Sequence, residues 1–333
     1  MGSKIKLLDR IAPILERMVS KGDKILDLMA GTHSIGYALK PNHPIIGNDV
    51  QEYSKVIGIA RIENNKVRLS AEDLERDIYP HLSKNKTYKL FQKYYTDTYF
   101  TKEQCVEIDN VRFAIDKVKD TKKKAIYLTA LIYAMGHCQS SPGHFAQYMP
   151  KDHPRLKTLR KLSILDAFTK KLLENHILFS NFQNKVVSMD YRNLFTDKNI
   201  KKYLRGVKLV YIDPPYSPAQ YSRFYHLLET AVKYDYPKLS HKGLYRQDRF
   251  QSDFCYPSKV SGEFDFIVSH ASNIGAKVAI SYSESGLITS TELKAICKKY
   301  FKKVRVYYFK HSHSMQGRGT IKNIREVLVT GEN

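Results

Sequence analysis

The run LVYIDPPY at 209–216 limits what this chain can fold into more than any other segment. Its apolar, β-branched start reads as a buried strand. Two consecutive prolines end that strand, because they lack backbone donors and fix φ. The acid before them and the aromatic ring after them are therefore held in a rigid loop at a strand's C-terminal end. Open α/β sheets bind their ligands at that place.

Both ends of the chain share this strand rhythm, and the middle departs from it. DKILDLMAG (23–31) predicts a strand with an acid near its end and a glycine turn. HPIIGNDV (43–50) predicts a second short strand, again finishing in an acid. Before them, KIKLLDRIAPILERMVS (4–20) places apolar residues at helical spacing, interrupted by Pro13. From about 60 to 180 polar helical stretches dominate, with YKLFQKYYTDTYF (88–100) expected as aromatic packing and AIYLTALIYAMGH (125–137) as an apolar helix. Strand patterns return in NKVVSMDYRNLF (184–195), KLVYIDPPY (208–216), AKVAISYSE (276–284), KKVRVYYFKHS (302–312) and IREVLVTG (324–331). The expected class is α/β: a doubly wound, mostly parallel, Rossmann-like sheet with an antiparallel C-terminal strand. It would occupy 1–60 and 181–333, with a mostly helical domain inserted at 61–180.

The chain carries 55 Lys and Arg against 33 Asp and Glu, a formal charge of +22. Phosphate neutralisation on a polyanion explains such an excess, and a lysine-rich genome bias is the bland alternative. Cys105, Cys138, Cys255 and Cys297 are widely spaced with no CxxC pair, which argues against a disulfide framework or zinc site. No run reads as a signal peptide or as a bilayer span. The expectation is a soluble, cytoplasmic protein without a membrane partner.

The turn Asp27-Leu28-Met29-Ala30-Gly31-Thr32-His33-Ser34 follows a strand and precedes a helix. Glycine there lets a ligand approach the backbone, and Asp49 at the next strand's end suits ribose hydroxyls. This points to an adenosine-bearing cofactor, with an ordinary structural turn as the rival reading. Neither the phosphate-loop pattern nor GxGxxG is present, which disfavours nucleoside triphosphates and NAD.

Taken in order, these segments resemble Dam-like (alpha-class) adenine-N6 DNA methyltransferases, and are closest in motif to the methylases of type IIS restriction-modification systems. GSKIKLL (2–8) looks like the family's N-terminal cofactor motif, DLMAGTHS its glycine motif, GND (47–49) its ribose acid and MDYRNLF (189–195) its adenine-contacting acid, with DPPY the catalytic motif. PGHFAQY (142–148) and QYSRFYHLLE (220–229) are similar to elements of the type IIS methylases. The resemblance implies S-adenosyl-L-methionine held by Ser3, Lys4, Asp27, Met29, Ala30, Gly31, Thr32, Ser34, Asp49, Asp190, Tyr191 and Asp213. It implies catalysis by Asp213, Pro214, Pro215 and Tyr216, and a target-recognition role for the insertion. Met29 stands where the family usually has phenylalanine, and His33 where it has a second glycine, so His33 is expected to crowd the cofactor turn.

The residue types suit that chemistry. An exocyclic amine of adenine is a poor nucleophile because its lone pair is delocalised. The Asp213 carboxylate and the Pro214 carbonyl can each accept one of its N–H groups and localise the pair for attack on a sulfonium methyl. Tyr216 offers a ring face to a base that has left the stack. The family's cytosine-N4 relatives typically carry serine where Asp213 stands, so the acid favours adenine.

Candidate nucleic-acid contacts are Gly143, His144 and Tyr148, then Gln220 and Tyr221, then Arg246 and Arg249 in a mixed aromatic loop. From Lys294 to Arg325 ten residues are Lys or Arg and none is acidic, and the tip HSHSMQGRG (311–319) adds His311, His313 and Arg318. A solvated lysine face and a packed aromatic corner are the structural alternatives. Two histidines two apart without a third ligand do not make a metal site. The expected partners are double-stranded DNA and a possible cognate restriction endonuclease, with the chain acting as a monomer. An RNA adenine-N6 methyltransferase and an inactive nucleic-acid-binding protein of the same fold are the rival readings.

Overall fold

The computed structural model describes residues 4–174, 177–313 and 321–333. Chain contacts divide it into two units, one of residues 2–58, 178–221 and 250–333, the other of 59–177 and 222–249. The strands, in chain order, are β1 (Lys24–Asp27), β2 (Ile45–Asn48), β3 (Lys185–Val187), β4 (Val207–Ile212), β5 (Leu239–Ser240), β6 (Tyr245–Arg246), β7 (Lys277–Ser283), β8 (Lys303–His313) and β9 (Ile321–Glu332).

The first unit holds a seven-stranded sheet in the order β3-β2-β1-β4-β7-β9-β8. Neighbours from β3 through β7 pair parallel, and β9 runs antiparallel between β7 and β8. The apolar runs follow from burial on both faces. Ile25 and Leu26, Leu209 and Val210, and Val278 and Ala279 are all fully buried, as helices on either side of a parallel sheet require. On one face Leu26, Val210, Ile212, Val278, Ile280 and Val327 join a core with side chains of the helices Tyr191–Thr196, Val260–Asn273 and Ser290–Lys298. The helix Leu8–Met18 keeps Pro13 inside it and still buries Ile11, Ile14, Leu15 and Met18. Proline removes one backbone bond there, and the apolar stripe holds the turns together.

From β1 the chain steps outward to β2 and β3, and from β4 it steps to β7 on the other side. Strand order therefore reverses between β1 and β4, and a crevice opens at their carboxyl ends. The expected α/β class with its antiparallel C-terminal strand is what the sheet shows.

The second unit is mostly helical, with its longest helices at Lys102–Lys117, Thr121–Cys138, Ile164–Leu173 and His226–Lys233, and with the ribbon β5–β6. Thr101 and Gln104 form a reciprocal capping box, and the Asp120 side chain accepts from Lys123 N, so two helix starts are read locally. The helix Thr121–Cys138 is buried nearly all round, and Phe91, Tyr95, Tyr99 and Phe100 of the aromatic run lie in the interior as expected. The unit's second segment, 222–249, falls outside the span read as an insertion from the sequence. No helix among the described residues is long and apolar enough to cross a membrane.

Candidate active site

Asp27 of β1 lies in register with Tyr211 of β4, and Leu28 N donates to Tyr211 O at 3.0 Å. The glycine turn and the acid-proline-proline-tyrosine loop thus leave the sheet side by side. Ala30 N donates to Asn48 O, while the Asn48 amide donates to the carbonyls of Leu28 and Met189, so three loops at this edge are tied together. Gly31 has φ +51°, and a Cβ built on it would meet nothing within 4 Å. The space before that backbone is open, as a ligand cradle requires.

Carboxylates rim the opening. Asp49 accepts from Gly31 N at 2.9 Å and from Gln51 N at 3.0 Å, one bond to each oxygen. Asp27 accepts from Gly36 N in the first turn of the helix Ser34–Leu39. Burial pushes the Asp27 carboxyl up to about 7 against the pull of that amide, and the nearby charges of Asp213 and Asp49 add to the rise. The Thr32 and Ser34 hydroxyls share a hydrogen bond of 2.9 Å, and Met29 packs half-buried against the sheet core.

At the proline corner, Lys4 places its ammonium 3.0 Å from Asp213 Oδ1 and 2.6 Å from Glu326 Oε1. Glu326, on β9, is almost wholly buried and also accepts from Ser281 Oγ at 3.2 Å. Asp213 keeps 27% of its side-chain surface open, as a group that meets a ligand must. Burial pushes its carboxyl up to about 6, Lys4 opposes the rise and Glu326 adds to it. Burial alone would depress the Lys4 ammonium, but Asp213 and Glu326 more than reverse this and hold it above its ordinary value. Sequence reasoning missed Glu326 and Ser281. The available signal for Glu326 was an acid directly before the apolar run Val327–Val329 of a strand, since a buried acid calls for a cation.

Pro214 is buried, and Tyr216 is held edge-on by Tyr221 at 5.8 Å and Tyr282 at 6.3 Å between ring centroids. The Gln220 amide is engaged at both ends by the Ser252 backbone, at 3.0 and 2.7 Å, so it holds a loop. Asp190 caps the helix Tyr191–Thr196 through Arg192 N at 2.8 Å. The Tyr191 ring lies in the core beside Phe254, with its hydroxyl on the buried Glu263, which places that side chain away from a ligand role.

In the helical unit Gly143 takes φ +92°, His144 lies tilted against Phe224 at 4.9 Å between ring centroids and Tyr148 meets Tyr99 edge-on. Arg246 does not fit its expected DNA role. It is 1% exposed and forked onto Asp235 at 2.6 and 2.7 Å and onto Asp248 at 3.0 and 2.8 Å, which leaves nothing for a phosphate. Arg249 is half-buried, donates to Arg246 O and lies over the Tyr245 ring. Ser3 and Arg318 lie outside the described residues, and His311 and His313 are placed only as backbone at the end of β8.

His33 does not crowd the turn. It sits in the left-handed region at φ +57°, and its fully buried ring points beneath the turn, with Nε2 donating to Ser54 O at 3.0 Å. Cβ atoms built on Gly47 and Gly58 would lie 2.5 and 2.6 Å from that ring. Two glycines elsewhere thus make room for the histidine that replaces one in the turn. Gly47→Ala should cost about 1–3 kcal/mol by overpacking, and markedly less in a His33→Gly background; denaturant unfolding of the double-mutant cycle checks this. Lys4→Met removes the cation that lowers the Asp213 pKa. The acid limb of its pH–rate profile should lie above the wild-type limb near 6, and titrating initial rates reads the displacement.

The family model described as D12 class N6 adenine-specific DNA methyltransferase matches residues 1–296. Type II methyltransferase M.FokI of Planomicrobium okeanokoites is 28% identical over 320 residues, covering 90% of this chain and 46% of that protein. Modification methylase LlaI of Lactococcus lactis subsp. lactis is 27% identical over 360 residues, covering 99% and 54%. Modification methylase StsI of Streptococcus sanguinis is 25% identical over 320 residues, covering 90% and 46%. The chain spans about half the length of these curated relatives. With 296 of its 333 residues matched, the chain belongs to the D12 class N6 adenine-specific DNA methyltransferase family.

Proposed function

We propose that this chain is a site-specific DNA adenine-N6 methyltransferase acting on a base flipped from duplex DNA, and that it is the modification enzyme of a restriction-modification system. The observation that carries the reading is the Asp213 carboxylate, partly open and pinned by Lys4, on a proline corner beside an open glycine turn. The names of the similar proteins, type II methyltransferase and modification methylase, favour the restriction-modification context. The helical unit is proposed to carry target recognition.

S-adenosyl-L-methionine fits this edge of the sheet and supplies an electrophilic sulfonium methyl when bound. Gly31 leaves room for its approach, Asp49 is the acid at the end of the next strand assigned to the ribose hydroxyls, and Asp27 and Asp213 form an acidic edge beside it. Thr32, Ser34, Asp190 and Met29 are the further side chains assigned to holding it. Asp213 and the Pro214 carbonyl accept the two N–H groups of the target amine, draw the nitrogen toward tetrahedral geometry and localise its lone pair. Acceptors fixed in advance stabilise the charge that develops on that nitrogen. Tyr216, oriented by Tyr221 and Tyr282, presents its ring to the base. Lys4 and Glu326 act through Asp213 by fixing its position and its charge.

Asp213 must be ionised to accept, so transfer should fall as pH drops through about 6, where the carboxyl takes up its proton. Asp213→Ala should abolish transfer of labelled methyl to duplex DNA while calorimetry still detects cofactor binding. Wild-type turnover in that variant would overturn the mechanism. Tyr216→Ala should lower the rate, whereas Tyr216→Phe should retain it because only the ring face is needed. Transfer to single-stranded RNA in preference to duplex DNA would replace the substrate assignment.

A further inference from the structure

Arginines in this protein are sorted by their partners. Arg112 donates to the carbonyls of Ala231 and Val232 and pairs with Asp116, Arg192 pairs with Glu263, and Arg246 is forked onto two aspartates. Such pairing is what a buried or half-buried guanidinium requires. Arg223 has no such carboxylate among the described residues, and Arg160 shares its enclosed, unpartnered Nε. Arg223 is half-buried, and its Nε is fully enclosed without a hydrogen-bond partner.

Its surroundings add positive charge and aromatic area. The guanidinium lies 5.7 Å from the Phe224 ring centroid and 5.8 Å from that of Tyr245, and Arg249 lies 5.5 Å from the same Tyr245 ring. His144 also meets Phe224, its ring tilted by 38° at 4.9 Å between centroids. Burial holds His144 below its ordinary pKa, with the Arg223 charge contributing, so the imidazole is neutral at neutral pH. Its Nδ1 accepts from Ala146 N at 3.2 Å, which puts the remaining proton on Nε2. That donor finds no acceptor among the described residues, and neither does the hydroxyl of nearby Tyr148. Donors without acceptors, on an aromatic platform that fixes a planar cation, describe a site for an anion with several oxygens. The neighbouring segment 151–161 carries Lys151, Arg155, Lys157, Arg160 and Lys161 against one acid, Asp152, so the field extends along the chain.

We propose that Arg223, on the Phe224 ring that His144 also meets, grips a backbone phosphate of the duplex DNA substrate. The assignment rests on the DNA-methyltransferase reading and adds a binding residue to it. A phosphodiester shares one negative charge over two oxygens, which the guanidinium can bind while their remaining lone pairs accept from the imidazole. The aromatic rings hold the fork in one orientation, which lowers the entropy lost on binding.

The test measures binding of fluorescently labelled random-sequence duplex DNA by anisotropy across a salt series, for wild type, Arg223→Ala and Arg223→Lys. Thermal melting of each variant is recorded alongside. Arg223→Ala should weaken binding about 10- to 100-fold at low salt, as loss of a charge-assisted bond does. The slope of log affinity against log salt should shrink in magnitude by about 1. Arg223→Lys should keep the slope and recover part of the affinity. Wild-type affinity and slope in Arg223→Ala would overturn the assignment, as would weaker binding with an unchanged slope. If Arg223→Ala melts early, the lysine variant decides, because restored melting with a reduced slope also overturns it. Methyl transfer by the wild-type protein, measured separately, tells this failure from failure of the proposed activity.

Discussion

β1 and β4 run side by side, parallel and in register, and the chain leaves them toward opposite edges of the sheet. Two adjacent loops therefore emerge at one end, and neither connection closes the gap between them. Every feature of the candidate site follows from this constraint. Asp27 and Asp213 share an edge because their strands do, and Asp49 joins them from β2. Asn48 ties the ends of β1, β2 and β3 together through Ala30 N and the carbonyls of Leu28 and Met189, and Leu28 N ties β1 to Tyr211 of β4.

Gathering carboxylates at a half-dry edge has an electrostatic cost. Burial pushes Asp27 up to about 7 and Asp213 up to about 6, whereas an unfolded chain would release those protons near pH 4. The folded state thus binds more protons between these values, and the stability these groups contribute falls as pH rises through that window. Lys4 offsets the cost at Asp213, and Glu326 keeps Lys4 in place with a buried carboxylate of its own. A cationic ligand at the same edge would relieve the remainder, in keeping with the sulfonium cofactor proposed. An edge tuned in this way gives up stability for an acceptor that stays ionised at neutral pH.

The arginines show how little residue type alone decides. Arg246 and Arg223 both sit among aromatics in or near one mixed loop, and the sequence favours the first as a DNA contact. Two aspartates close around Arg246 and make it a strut for the ribbon β5–β6. Arg223 receives no such partner and keeps its hydrogen-bonding capacity. His33 gives the same lesson at the cofactor turn, since Gly47 and Gly58 leave its ring a place beneath the backbone.

Local chemistry settled much of this protein in advance. Strands buried on both faces must be continuously apolar, prolines must end a strand, and a turn that admits a ligand needs glycine, so the α/β class, the rigid acid-bearing corner and the glycine turn were legible. Helix starts with capping residues at Thr101 and Asp120 were local as well. What the line of residues could not carry was pairing across long separations. Lys4 meets Glu326 from the other end of the chain, and the segment at 222–249 joins the helices before it. Those choices depend on which side chains are brought together in space, and they determined which acids are shielded, which arginines are paired with acids and where His33 points.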